Sequence, residues 1–448
     1  MIKKLLIYSL IIIICSCKKE NKIINPPVIP PTQNSNIADT IEWQKCLGGS
    51  NFDVGKFAIQ TSDGGYAIIG EAISMDGDVT GQHSANYSDM WMVKLNNLGS
   101  IQWQKCLGGT ILEYASSLQQ TTDGGYILSG GTSSNDGDVN GNHSTLGRTD
   151  SWIIKLDNSG SIQWKKCYGG TANEAANCIQ QTTDGGFIAV GYTQSNDSDV
   201  VGYHGGNSDI WLIKINNTGG LSWQKCLGGA GMDIGYAIQQ TTDGGYIIAG
   251  ETNSSDGDVA SNWGGSKKGW IIKLNSTGGM QWNKCVGAEG QGDLKSIQQT
   301  SDGGYIATGS TEGNTLNHGF YDAMVVKFNS TGGVIWNKCY GGTNYDYGES
   351  IIQNIDGNYT LAASSMSNDG DVSGNHSTLN LDFWIVGLDT LGAIQWKKCY
   401  GGYFPDQVSS IMQTTDEGYI VCGSSKSNDN DVSGNHSSDY DFWIFKLF

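Results

Sequence analysis

Five prolines and a single arginine, Arg148, stand in a chain of 448 residues. With one guanidinium the chain lacks the planar forks that read phosphates and bases, and its formal charge of -18 repels polyanions. Nucleic acid is thereby excluded as a partner. No amphipathic helical stretch stands out, and the longest apolar run, Leu5 to Ile14, is too short for an ordinary membrane span. What the chain does have is 65 glycines and 10% aromatic residues. That balance reads as many short strands joined by tight turns, an all-β chain.

The opening MIKKLLIYSLIIIICSCKKE carries two lysines and a short apolar run, the shape of a secretory signal. Ile14-Cys15-Ser16-Cys17 resembles the bacterial lipobox, which implies cleavage after residue 16 and lipid modification of Cys17. An uncleaved anchor and plain secretion are the alternatives. Lys18 in place of aspartate implies, by the sorting rule of such lipoproteins, the outer membrane, on its periplasmic or cell-surface side. Residues 17–40 include Pro26, Pro27, Pro30 and Pro31 and are expected to form an extended tether.

From residue 41 to 448 one pattern repeats. WQKCLGG at Trp43 returns with small edits at Trp103, Trp164, Trp223, Trp282, Trp336 and Trp396, spaced 54 to 61 residues apart. Such a period suits a propeller blade or solenoid turn. Each unit holds four strand candidates, so each is a four-stranded blade. The cut between units is informative: the chain starts on a lone fourth strand at Trp43 and ends on a third strand, DFWIFKLF. Pairing of the first with the last three is predicted to close a ring of seven blades. An open solenoid would gain nothing from that cut.

The unit resembles the seven-bladed β-propeller repeat of exported bacterial proteins, running from tryptophan and LGG through D-G and GxT to D-x-x-hydrophobic-K-L. The resemblance covers about Ile41 to Phe448 and implies fold far more than activity. Seven cysteines, Cys46, Cys106, Cys167, Cys226, Cys285, Cys339 and Cys399, take equivalent places in successive units. Symmetry keeps them beyond the ~7 Å Cα limit for a disulfide, so they read as small buried apolar groups, with Cys178 and Cys422 also unpaired.

Positions repeated in every blade read as structural. The glutamines Gln60, Gln120, Gln181, Gln240, Gln299, Gln353 and Gln413 are expected to bridge blades by hydrogen bonds, or else to line the channel as a polar belt. The aromatic that follows each TDGG turn, from Tyr66 to Tyr419, should pack between blades. TTDGGY loosely resembles the Asp-box of sialidases, but one arginine cannot build that family's arginine cluster. Asp89, Asp150, Asp209, Asp322, Asp382 and Asp441 precede the third-strand aromatic, or Met324 in its place, and should anchor the incoming loop; blade 4 has Lys268 there.

The longest loop of each unit lies between its second and third strands and holds all six histidines: His83, His143, His204, His318, His376 and His436. Its NDGDV segment places paired carboxylates beside glycine, the start of a calcium-loop pattern. The pairs are Asp76 and Asp78, Asp136 and Asp138, Asp197 and Asp199, Asp256 and Asp258, Asp369 and Asp371, and Asp429 and Asp431. The downstream bidentate glutamate of an EF-hand is missing, so calcium competes with a self-bonded aspartate turn. Zinc is disfavoured, because one histidine per blade leaves its ligands on separate loops.

Catalysis needs an asymmetric constellation, and the sequence displays none. Asymmetry is confined to loops, where Arg148, Tyr203, His204, Trp263, Lys267 and Lys268 are the candidate ligand-binding residues. The expectation is a monomeric, membrane-anchored binding or scaffold module for a protein or glycan. A propeller hydrolase or lyase acting on glycans is the alternative, and an asymmetric acidic cluster in a deep pocket would favour it.

Overall fold

A computed structural model describes residues 40–144, 147–259, 266–287, 290–312 and 318–448. The expected leader, Cys17, nearly all of the tether and Trp263 lie outside them. Within the described residues every regular element is a strand, and the strands make seven four-stranded antiparallel sheets, each in sequential order. Third strands such as Asp89–Leu95 and Asp150–Leu156 are buried at every position. A strand buried on both faces needs a packed layer on each side, and a ring supplies both from neighbouring blades.

Blade 1 comprises Asp53–Gln60, Tyr66–Ala72, Asp89–Leu95 and Ile101–Leu107. Blades 2 to 6 repeat it through residues 113–168, 174–227, 233–286, 296–340 and 346–400. Blade 7 is composite: Asp406–Gln413, Tyr419–Ser425 and Asp441–Leu447 are completed by Ile41–Leu47. Trp43 pairs with Lys446, Cys46 with Trp443 and Leu47 with Phe442. The protein is a closed seven-bladed β-propeller.

Its hydrophobic core is divided among blade junctions. One cluster joins Ile69 and Met92 of blade 1 to Leu128 and Trp152 of blade 2. Another joins Ile68 and Trp91 of blade 1 to Ile420 and Phe442 of blade 7. The fourth-strand tryptophans meet the post-turn aromatic of the next blade edge-on or tilted, at 5.3 Å for Trp43 and Tyr66 and 6.3 Å for Trp396 and Tyr419. All nine described cysteines are free thiols.

The glutamines bridge blades, as one of their two readings has it. Each side-chain carbonyl accepts the N–H of a turn residue in the preceding blade: Gln120 from Ser62, Gln181 from Thr122, Gln240 from Thr183, Gln299 from Thr242, Gln353 from Ser301 and Gln413 from Ile355. Gln60 closes the circle by accepting from Thr415 at 2.8 Å. The turn aspartates have a partner that their turn chemistry did not announce, a buried third-strand lysine. Lys94 reaches Asp63 at 3.0 Å, and the same pair recurs in five other blades. Blade 6 breaks the series with Gly387, whose missing side chain makes room for the indole of Trp396.

Candidate functional site

The long loops and the connections between blades emerge on one face, here called the upper face, and interlock at each junction. The first aspartate of each NDGDV pair accepts a backbone N–H from the connection entering its blade, as Asp136 does from Thr110 at 2.8 Å and Asp197 from Thr171 at 2.9 Å. These carboxylates tie the loop to the preceding connection, and Asp76 and Asp136 also bond their own backbone within the turn. The second aspartate faces the histidine of the preceding blade. His83 holds Asp89 of its own blade at 2.5 Å through Nδ1 and lies 3.8 Å from Asp138 of blade 2 through Nε2. His143, His204, His376 and His436 repeat this reach, His436 spanning the closure to Asp78 at 3.6 Å. Loops judged separate from sequence therefore do meet. Among the described residues no group of three or more His, Cys, Asp or Glu side chains is arranged to hold a metal ion.

The third-strand aspartates anchor their loops as expected, since Asp89 accepts the His83 N–H at 3.1 Å. Each also faces a buried acid that sequence reading passed over: Asp53, Glu113, Glu174, Asp233, Asp346 or Asp406, at the head of the next first strand. A methyl carbon placed on Gly108 would lie 2.5 Å from both Asp89 Oδ1 and Glu113 Oε2. The LGG glycine is required because two carboxyl groups occupy the space beside it.

The loop candidates are dispersed. Arg148 donates to the Thr171 carbonyl at 3.3 Å between blades 2 and 3. Tyr203 donates to the Gly206 carbonyl within its own loop, and His204 belongs to the histidine series. Lys268 donates to the Gly290 carbonyl. Only Lys267 joins a larger polar assembly, pairing with Glu251 at 2.7 Å and Asp293 at 3.2 Å.

That assembly sits at the upper mouth of the axial channel, where the sevenfold pattern fails. In six blades the innermost strand carries a β-bulge after its third residue, shown by register shifts such as Gly55 to Phe57 and Gly348 to Ser350. The extra residues are Lys56, Ser116, Asn177, Tyr236, Glu349 and Ser409, with no common chemistry. Bulges re-aim side chains and recur beside functional sites. Here Lys56, Glu349 and Ser409 turn into a cleft of about 390 Å³ between blades 6, 7 and 1. Lys56 pairs with Glu71 at 3.6 Å on one wall. Tyr236, on the blade 4 side, lies 3.5 Å beneath the ammonium of Lys295.

Burial pushes the Glu349 carboxyl up to about 7, against the opposing pull of Lys295 and with help from Asp293. It makes no hydrogen bond to a described residue. Burial also raises Glu71 despite its lysine partner. Burial opposes the charge on Lys267, but Asp293 and Glu251 outweigh it and raise its pKa. The mouth therefore holds a carboxyl raised well above the usual carboxylate range beside lysines and tyrosines.

Aromatic side chains flank this cleft. At six junctions the residue before the third-strand aspartate adjoins the residue before the next first strand, held by backbone contacts such as the Glu113 N–H donating to the Ser88 carbonyl. These are Ser88 with Leu112, Thr149 with Asn173, Ser208 with Met232 and Leu381 with Pro405. At blades 5 and 6 the pair is Tyr321 and Tyr345, and at blades 7 and 1 it is Tyr440 and Phe52, with ring centroids 6.1 and 5.7 Å apart.

No protein-family profile matches the chain, and no curated protein matches it. Among solved structures it is similar to a protein of unknown function from Dyadobacter fermentans, at 10% identity and a TM-score of 0.46 over 91% of this chain and 98% of that one. It is also similar to the Pan2 WD40 domain of Neurospora crassa, at 8% identity and a TM-score of 0.48 over 89% and 97%. A third similar structure is a protein of unknown function from Bacteroides caccae, at 10% identity and a TM-score of 0.40 over 78% and 94%. Similarity at this level carries no functional argument; the blades themselves identify the chain as a seven-bladed β-propeller.

Proposed function

We propose that this chain is an exported, lipid-anchored recognition module whose propeller presents one binding mouth to a protein or glycan. The observation that carries the reading is the failure of sevenfold repetition at the channel mouth. Glutamines, tryptophans, turn aspartates and loop aspartates repeat because they hold blades together. The bulge residues differ blade by blade, which a purely structural role does not ask for. Ligand sites combine concave shape with a few convergent polar groups, and this cleft has both. The lipobox-like segment and the proline-containing tether support display from a membrane.

Two measurements check the two halves of the reading. Replacement C17S is expected to remove lipid labelling and release the chain from the membrane fraction; unchanged partition would remove the anchor from the proposal. Pull-down and glycan-array screens, with and without calcium, are expected to return a ligand. A blank in both would refute recognition.

One observation favours the enzymatic alternative. A carboxyl at about 7 suits a general acid, and Glu349 faces a cleft large enough for a substrate. On that reading a glycan hydrolase or lyase activity, found by incubating the chain with polysaccharides, falls at least ~100-fold in E349Q, the scale of general acid catalysis. Unaltered turnover in E349Q would rule out Glu349 as that acid.

A further inference from the structure

The cleft at the channel mouth has two kinds of surface, and their placement bears on what fits it. Phe320, 58% exposed, stacks on Tyr345 at 5.1 Å with only 9° between the rings. Tyr345 continues to Tyr347 at 6.1 Å and 24°, and Tyr347 forms part of the cleft wall. The stack thus runs from solvent to the cavity. On the other side, two junctions round the ring, Phe52 and Tyr440 meet edge to face at 83°, and both line the same cleft. Between these walls stand Lys56, Glu349 and the exposed Gln407.

We propose that this cleft and its aromatic walls form a saccharide-binding site. The proposal rests on the recognition reading and names its ligand class. Sugars present apolar C–H faces that pack on aromatic rings, while their hydroxyls need donors and acceptors at the ring edges. A protein hot spot is instead centred on a desolvated, well-packed pocket with a polar rim. Here the order is reversed, with aromatics at the flanks and polar groups in the middle. The charge pattern narrows the class further. Lys56 is already paired with Glu71, which leaves the Glu349 carboxyl as the unpaired group at the centre, and an acid there suits a neutral saccharide over a strongly anionic one. The volume of about 390 Å³ lies in the usual range for small-ligand sites, ~300–1,000 Å³.

The test uses the full chain in mild detergent. Isothermal titration calorimetry is run against hexasaccharides of β-linked glucose, mannose, xylose and N-acetylglucosamine, with oligogalacturonate as the acidic comparator. At least one neutral probe is expected to bind more tightly than the acidic one. The double variant F320A/Y345A is expected to weaken that binding about tenfold, in line with the loss of aromatic stacking. Gln407→Ala, at an exposed position of the cleft, should weaken it several-fold. Y403A, which removes an exposed aromatic outside both walls, should leave it unchanged. Equal binding by the double variant and Q407A overturns the site. Preference for oligogalacturonate overturns the neutral class. If no saccharide binds while a protein is captured in the pull-down, the saccharide proposal falls and the recognition reading survives; if neither assay returns a ligand, both fall.

Discussion

A chain starting at Ser50, which lacks Ile41–Leu47, is expected to lose roughly 6–12 °C in Tm relative to one starting at Ala38. The removed strand supplies the outer edge of blade 7. It buries Cys46 and Leu47 and packs Trp43 against Tyr66 of blade 1. Burying a large apolar side chain is worth about 1.5–3 kcal/mol. Losing these groups, and uncovering Trp443 and Phe445 behind them, costs about 5–10 kcal/mol, comparable with the whole stability of a domain. The deletion also frees the edge of Asp441–Leu447, a long apolar strand prone to pairing with other chains. Differential scanning calorimetry with light scattering reads both effects. A synthetic peptide of residues 40–49 added in trans should restore part of the lost Tm, as a missing strand would. An unchanged Tm in the shortened chain would show that the ring is not held shut by this strand.

That closure was legible because symmetry writes the same signal seven times. A single WQKCLGG would be weak evidence, but a lone fourth strand at one end and a missing fourth strand at the other leave one economical solution. Inter-blade glutamines and unpaired cysteines were legible for the same reason. What sequence could not reveal is what faces what across a junction. The acids Asp53, Glu113 and Asp406 look like ordinary strand-leading residues, and only the fold brings them beside Asp441, Asp89 and Asp382. The histidines looked isolated because a loop and its neighbour are some sixty residues apart in the chain and adjacent in space. The mouth residues were missed for a related reason. Lys56, Tyr236 and Glu349 stand four residues before the repeated glutamine, where the repeat loses its pattern. That loss of pattern is the signal the sequence carries for the mouth, and it is fainter than the asymmetry of the long loops.

Tm is expected to rise by roughly 5 °C or more as pH falls from about 8 to about 5.5, and to fall again below about pH 4. Burial pushes Asp406 up to about 7, and Asp150 and Asp382 up to about 6, against their hydrogen bonds. Their unfolded values are near 4. The histidines move the same way: burial lowers His83, His204 and His436, but their aspartate partners outweigh it and raise each pKa. A folded state with raised pKa values binds more protons than the unfolded chain, so stability declines as pH rises through the folded values. The turn aspartates act oppositely. Partial burial notwithstanding, the Thr61 hydroxyl, the Lys94 ammonium and the Gly65 N–H hold Asp63 at about 2, and Asp123, Asp184, Asp243 and Asp302 sit there too. Their contribution is complete above pH 4 and is lost as pH falls toward 2. One junction isolates the first effect. Asp382 Oδ1 is buried and accepts no hydrogen bond from a described residue, and it faces Asp406 Oδ2 across Gly401. His376 holds the other Asp382 oxygen and lies 3.6 Å from Asp431. In D382N an amide N–H can occupy the orphan position and donate to Asp406. The variant should be more stable than the parent at about pH 8 and show a shallower pH dependence. A D382N chain with the parent's Tm and slope would mean that the facing carboxyls do not set the acid optimum.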